Sequence, residues 1–291
     1  MPARLRKGAL PYLLLLPGLG WLLVFFAIPL VYMAIESLKS GDPFVGGFQL
    51  TWEFSNYTNA LKDYDEQFIR SFEYAGLATL IALLIGYPLA YVIAFRGGRW
   101  RNAMLLLVIV PFFVTYLIRT LSWETILSDS GLVVNTLQTI GIVGEDGRLL
   151  DTTVSVVAGI TYNFLPFMIL PLYASLERID HRMLEAGYDL YGRRRDVFRH
   201  VTLPLSMPGV VAGVLLTFIP AAGDFINAQL LGTPKQYMIG NVIQSRFLVV
   251  NDYPTAAALS FLLMAFMLII VLIWARIAGT EALLGTEGER R

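Results

Sequence analysis

Six stretches of about 20 or more mostly apolar residues constrain this chain more than any other feature. They run roughly over 10–37, 70–95, 103–127, 153–175, 206–231 and 255–277. The hydrocarbon core of a bilayer is about 30 Å thick, a depth that a helix crosses in ~20 residues. No water reaches backbone groups there, so a spanning segment must satisfy its own hydrogen bonds, as a helix does. Composition agrees: 56% of the 291 residues are hydrophobic and 15% are charged, against about 25% charged in soluble domains. The expected fold is an all-α membrane protein with six transmembrane helices in a single domain over 1–291.

The basic residues set the orientation. Of the 22 Lys and Arg, 15 fall on the side of the N-terminus and 6 on the other, while Arg119 lies within a span. Because Lys and Arg accumulate on the cytoplasmic side, both termini are expected there. Arg4, Arg6 and Lys7 precede the first span as they would a signal peptide. The apolar run from Ala9 to Ala34 is longer than the ~7–15 residues of a signal core, so it is expected to stay in place as a helix. Segments 39–69, 128–152 and 232–254 then lie outside. The first carries Trp52, Phe54 and Tyr57 and is expected to hold a short helix at the interface, where aromatic rings are favoured.

The spans contain Pro29, Pro88, Pro111, Pro166, Pro171 and Pro220 with Gly20, Gly86 and Gly223. Proline kinks a helix and frees a carbonyl, which survives in a membrane where neighbours or water satisfy it. This set points to a bundle around a pathway. No duplicated half is visible, and a six-helix unit of this kind needs a second copy or a relative to enclose a route.

Several activities lack their residues. With no cysteine there is no disulfide, thiolate metal site or cysteine nucleophile. His181 and His200 stand in a basic stretch and read as surface residues. None of the four lysines follows a phosphate-binding glycine loop, which ATP would require. No HExxH, GxSxG or CxxC occurs. The chain is therefore expected to be no enzyme, with no catalytic residue, no metal and no cofactor of its own, and nothing points to nucleic acid as a partner.

The longest cytoplasmic segment, ERIDHRMLEAGYDLYGRRRDVFRHVTLP over 177–204, carries the most information. Ile179, Met183, Ala186 and Leu190 recur at helical spacing. Gly192 interrupts, and a second short helix places Val197, Phe198 and Val201 on one face among Arg193, Arg194, Arg195 and Arg199. A charged loop that only fixes topology needs no apolar stripe, whereas a docking surface does.

The stretch from Glu185-Ala186-Gly187 to Leu203-Pro204 resembles the EAA loop of permease subunits in binding-protein-dependent ABC importers of type I. In that family the pattern is Glu-Ala-Ala, three residues, Gly, and a later Leu-Pro or Ile-Pro. Glu185, Ala186 and Pro204 match it; Gly187 replaces the second Ala, and the family glycine position is Tyr191, with Gly192 one place on. PYLLLLPGLGWLLVFFAIPL resembles the family's first helix. PFFVTYLIRTLSWETIL (111–127), GLVVN (131–135) and GDFINAQLLGTPKQYMIGNVIQSRFLVVNDYPTAAALS (223–260) resemble its spermidine/putrescine branch. The resemblance implies a coupling loop of Glu185, Ala186, Gly187, Leu190, Gly192, Phe198 and Pro204 that docks on an ATPase. It also implies a homologous partner permease forming a heterodimer, two ATPase subunits that hold ATP and Mg, an extracytoplasmic solute-binding protein, and a place in the bacterial inner membrane. Relatives that carry iron(III), sulfate or thiosulfate, or phosphonates share some of these features, and an ATP-independent secondary transporter is the rival class.

Ionisable groups inside a membrane are costly and are candidates for function. Asp224, beside Gly223 and Asn227 in the outer third of the fifth span, either meets an ammonium of a polyamine or pairs with Arg119. Glu73 at the start of the second span and Glu124 at the end of the third add charge at the outer mouth or face interfacial water. Tyr116, Trp123, Tyr162 and Phe225 either stack on alkylammonium groups or serve as packing and interface anchors.

Overall fold

The computed structural model describes residues 10–42, 46–141, 144 and 147–278. The basic residues Arg4, Arg6, Lys7, Arg290 and Arg291 lie outside the described residues. Among the described residues, five helices are long and apolar enough to cross a membrane: Leu14–Glu36, Asp65–Arg96, Thr153–Glu177, Arg194–Ala222 and Tyr253–Trp274. Two of the expected spans are interrupted. The third apolar stretch is a pair, Gly98–Phe113 and Tyr116–Leu127, bent by 95°. The bend follows Pro111, which has no N–H to donate, and Val114 and Thr115 take extended backbone there. The fifth stretch runs to Ala222, leaves the helix through Gly223, Asp224 and Phe225, and resumes at Ile226.

By chain order the helices are α1 (Leu10–Leu22), α2 (Ile28–Glu36), α3 (Ser55–Asp63), α4 (Asp65–Arg96), α5 (Arg101–Ile109), α6 (Tyr116–Leu127), α7 (Leu132–Thr139), α8 (Thr153–Glu177), α9 (His181–Tyr191), α10 (Arg194–Val197), α11 (Leu203–Ala222), α12 (Ile226–Leu231), α13 (Ile239–Ser245) and α14 (Tyr253–Ala278). Chain contacts divide into two compact units, Met1–Asp63 with Ile243–Leu262, and Tyr64–Val242 with Leu263–Arg291.

In the first unit, α1 and α2 join through a π-helical turn at Leu23–Ala27. Their large apolar side chains are exposed, among them Leu14, Phe25 and Phe26, which suits a helix solvated by lipid. The segment that follows is an antiparallel hairpin of β1 (Lys39–Asp42) and β2 (Gly47–Leu50), with Lys39 opposite Leu50. The expected short helix is α3. Asn56 ties it to the hairpin by donating to the carbonyls of Ser37 and Lys39 at 3.0 and 2.9 Å. The hairpin was not expected, because Gly41, Gly46 and Gly47, whose positive φ makes it possible, carry no alternating apolar pattern.

In the second unit, α8 is the central helix and packs along α4 and α11. Two apolar clusters line it. One gathers Tyr74, Ala78, Ile160, Phe164 and Leu231; the other gathers Ala82, Ile93, Met168, Leu172 and Leu176. Small residues permit the contact. A Cβ at Gly209 would lie 2.5 Å from Ser175 Cβ and 2.7 Å from the Pro171 carbonyl oxygen, and one at Gly213 would lie 2.8 Å from Met168 Sδ. Gly209 and Gly213 are four apart, the spacing that lets membrane helices approach closely. At its N-terminal end, Thr152 caps α8 in a reciprocal box with Ser155, which satisfies first-turn N–H groups.

Candidate coupling loop and intramembrane polar site

Residues 177–204 give the helix and the turn that the apolar spacing predicts, but the second helix is not a separate short one: it runs on without a break from Arg194 to Ala222 as the fifth span. Asp180 caps α9 by accepting from the Arg182 N–H at 2.9 Å. Gly192 ends it with φ 66°, a left-handed value that glycine adopts without steric penalty. The Gly192 N–H donates to the Tyr188 carbonyl at 2.8 Å. Gly192 therefore supplies the turn. Gly187 serves packing instead: a Cβ there would come within 3.1 Å of Val201 and 3.2 Å of Val197, so α9 lies close on α10 and the π-helical turn Phe198–Thr202. The apolar stripe divides. Ile179 is buried, whereas Met183 and Leu190 are 54% and 79% exposed, and Glu185 and Ala186 are exposed with them. Phe198 is half-buried and meets Tyr87 and Tyr91 of α4 edge-on, with ring centroids 5.7 and 6.2 Å away. Pro204 follows the π-helical turn Phe198–Thr202 inside the continuous helix Arg194–Ala222, where its missing N–H removes one bond of the helical ladder.

The polar site lies where α6, α8 and the break before α12 meet. Asp224 is buried at the break. The Tyr116 hydroxyl donates to its Oδ2, and the Asn227 N–H donates to its Oδ1 at 2.8 Å. The Asn227 amide nitrogen donates to the Tyr116 hydroxyl at 2.6 Å and to Asp224 Oδ2 at 3.0 Å. From α8, Asn163 donates to Asn227 Oδ1 and to Thr120 Oγ1, each at 3.2 Å. Thr120 in turn donates to the Tyr116 carbonyl at 3.1 Å. Asn163, Asn227 and Thr120 are all buried.

Asp224 does not pair with Arg119. Its partners are the neutral donors just named, while Arg119 Nε and Nη1 have no hydrogen-bond partner. The Arg119 guanidinium lies over the rings of Phe112 and Tyr116, 5.1 and 5.6 Å from their centroids; a cation over an aromatic face is attracted by its quadrupole. The carboxylate is thus buried without an opposite full charge against it.

Of the other expected pathway residues, Tyr116 belongs to this network. Phe225 borders it, its carbonyl accepting from Asn241 at 2.8 Å. Trp123 and Tyr162 form a separate pair 5.4 Å apart on the wall of an apolar cavity of about 480 Å³, which Leu77, Ile81 and Leu165 also line. Glu73 is exposed on α4 and Glu124 half-buried on α6, and neither joins the network. The sequence reading missed Asn163 and Thr120. The signal for Asn163 was its position as the lone Asn in a long apolar stretch; Thr120 has none, since threonine is unremarkable in a membrane helix.

Residues 82–279 match the family described as "Binding-protein-dependent transport system inner membrane component". The chain is 38% identical over 259 residues to "Spermidine/putrescine transport system permease protein PotB" of Haemophilus influenzae, covering 88% of this chain and 90% of that one. It is 36% identical over 258 residues to the protein of the same name in Escherichia coli, covering 88% and 94%. Among solved structures, a bacterial ABC transporter involved in the import of the acidic polysaccharide alginate has a chain that superimposes with TM-score 0.66 at 21% identity, covering 92% of this chain and 94% of that chain; at that identity the likeness is one of fold. The interrupted spans, the helix and turn of 177–204 and the match over 82–279 lead to one conclusion: the chain is a multi-pass inner membrane protein and belongs to the family of binding-protein-dependent transport permeases.

Proposed function

We propose that this chain is a permease subunit of an ATP-driven importer whose solute is a polyamine, spermidine or putrescine, delivered by an extracytoplasmic solute-binding protein. The observation that carries the solute class is the 36–38% identity, over 88% of the chain, to permeases named for spermidine and putrescine. The polar site supports it. A carboxylate buried among neutral donors is costly to desolvate, and an incoming ammonium would supply the missing charge. Arg119, engaged with two aromatic rings, leaves that role open.

In this reading both termini are cytoplasmic and the exposed apolar face of α9, with Met183, Ala186 and Leu190, docks on an ATPase subunit. Glu185 is exposed with those residues, Gly187 seats the helix against Val197 and Val201, Gly192 turns the chain, and Phe198 transmits motion to α4 through Tyr87 and Tyr91. ATP and Mg belong to the ATPase, and a homologous permease completes the pathway. The binding protein and ATP must each favour a different state of the helices, since a ligand of equal affinity for both shifts nothing. An ATP-independent transporter has no use for the exposed face of α9.

The test is ATPase activity of the chain reconstituted in lipid with its partner permease, ATPase and binding protein. Stimulation by spermidine or putrescine that requires the loaded binding protein is the expected result. A response only to iron(III), thiosulfate or a phosphonate would discard the polyamine and keep the importer. Failure of any ATPase to assemble with the chain would sink the importer itself.

A further inference from the structure

The network around Asp224 has a direction. A carboxylate only accepts, so the Asn227 amide must turn its nitrogen toward Asp224 and the Tyr116 hydroxyl. That leaves Asn227 Oδ1 facing α8 as an acceptor, and Asn163 must present its nitrogen there. The other end demands the same orientation. The Thr120 hydroxyl spends its proton on the Tyr116 carbonyl, so it too accepts from Asn163. Both constraints turn the Asn163 oxygen away from every donor, and Oδ1 is buried with no partner. A buried acceptor left unpaired is destabilising. The direction of the relay accounts for it: the orphan is what remains when both nitrogen protons are committed.

We propose that Asn163 is a positioning residue for solute recognition, which holds Asn227 in the orientation that presents Asp224 as an acceptor-only group to the cation. The proposal rests on the reading of Asp224 as the solute's carboxylate. It makes an outcome opposite to simple electrostatics. Asn163→Asp adds negative charge to the site, which would strengthen a direct contact with a cation. Through the relay it does harm. An aspartate accepts only, so Asn227 turns its nitrogen toward α8 and its oxygen toward Asp224, and acceptor faces acceptor. Asn163→Leu, with the same branched shape and number of side-chain heavy atoms, removes the donor without reversing anything.

The experiment measures uptake by the reconstituted complex with spermidine and, separately, the thermal midpoint of the assembled complex. Asn163→Asp is expected to raise the half-saturating solute concentration about tenfold, more than Asn163→Leu does, with the maximal rate falling less. Combining Asn163→Asp with Asp224→Asn reverses the relay without breaking it, so the double variant is expected to recover most of the thermal midpoint that Asn163→Asp loses. Equal or tighter uptake with Asn163→Asp, an effect no larger than that of Asn163→Leu, or additive losses in the double variant would each overturn the proposal. If Asn163→Asp does not assemble, assembly of the double variant supports the relay and its failure refutes it. The thermal comparison needs no solute, so a wild-type complex that ignores polyamines would refute the solute and leave the relay still tested.

Discussion

Asp224 receives hydrogen bonds from Tyr116 and Asn227 and no countercharge. Hydrogen bonds to an ionised carboxylate contribute about 1.5–3 kcal/mol each, so these donors hold the side chain firmly with no ion-pair partner against it. Asp224→Asn removes the charge and keeps the shape. It is expected to raise the half-saturating polyamine concentration about 10- to 100-fold and to lower ATPase stimulation by the loaded binding protein much less. Unchanged uptake kinetics would take Asp224 out of the route. Tyr116→Phe deletes the hydroxyl and leaves one N–H of the Asn227 amide without its acceptor, while the other still reaches Asp224. A smaller rise, roughly three- to tenfold, is expected in the same assay; a Tyr116→Phe complex more defective than Asp224→Asn would mean that the ring, and not the carboxylate, dominates the site.

At the scale of elements, two glycine-dependent contacts decide whether the helices can act together. Gly192 ends α9 at φ 66° with open space around it. A β-branched residue there meets backbone strain rather than a clash, of order 1–3 kcal/mol. Gly192→Val is expected to leave the membrane helices assembled and to lower the ATP-coupled uptake rate severalfold or more. Normal transport would remove the docking role from this turn. Gly209 works differently, because the opposing backbone of α8 fills the space where a side chain would stand. Gly209→Leu is expected to force α8 and α11 apart and to lower the thermal midpoint of the complex markedly, since overpacking costs about 1–3 kcal/mol or more. A midpoint within a degree or two of the wild type would show that α11 can slide on α8.

At the scale of the molecule, the orientation of the chain in the membrane is open to a direct measurement. Single cysteines can be introduced cleanly, since the chain has none. A cysteine at exposed Arg182 is expected to react with a membrane-impermeant thiol reagent only from the cytoplasmic side, and one at exposed Trp52 only from the outside. The reverse pattern would invert the topology and move α9 away from any ATPase.

Much of this protein was legible in the residues alone. Apolar length sets the number of helices because the bilayer is a solvent of fixed thickness. The alternation of turn, stripe and charge over 177–204 marks the helix and its turn, because those patterns act within a few residues of chain. The breaks were not legible. Pro111 and Gly223 signal weakness, yet a 95° bend at one and an unwound segment at the other depend on what packs against them. The polar site was half legible: Asp224 and Tyr116 stood out as chemical types, whereas Asn163, Thr120 and the isolation of Arg119 did not. Hydrogen-bond direction is a property of residues far apart in the chain, since Tyr116, Asn163 and Asp224 come from three different elements. Composition supplies the donors and acceptors; only the tertiary structure decides which of them meet, and therefore which carboxylate keeps its charge free.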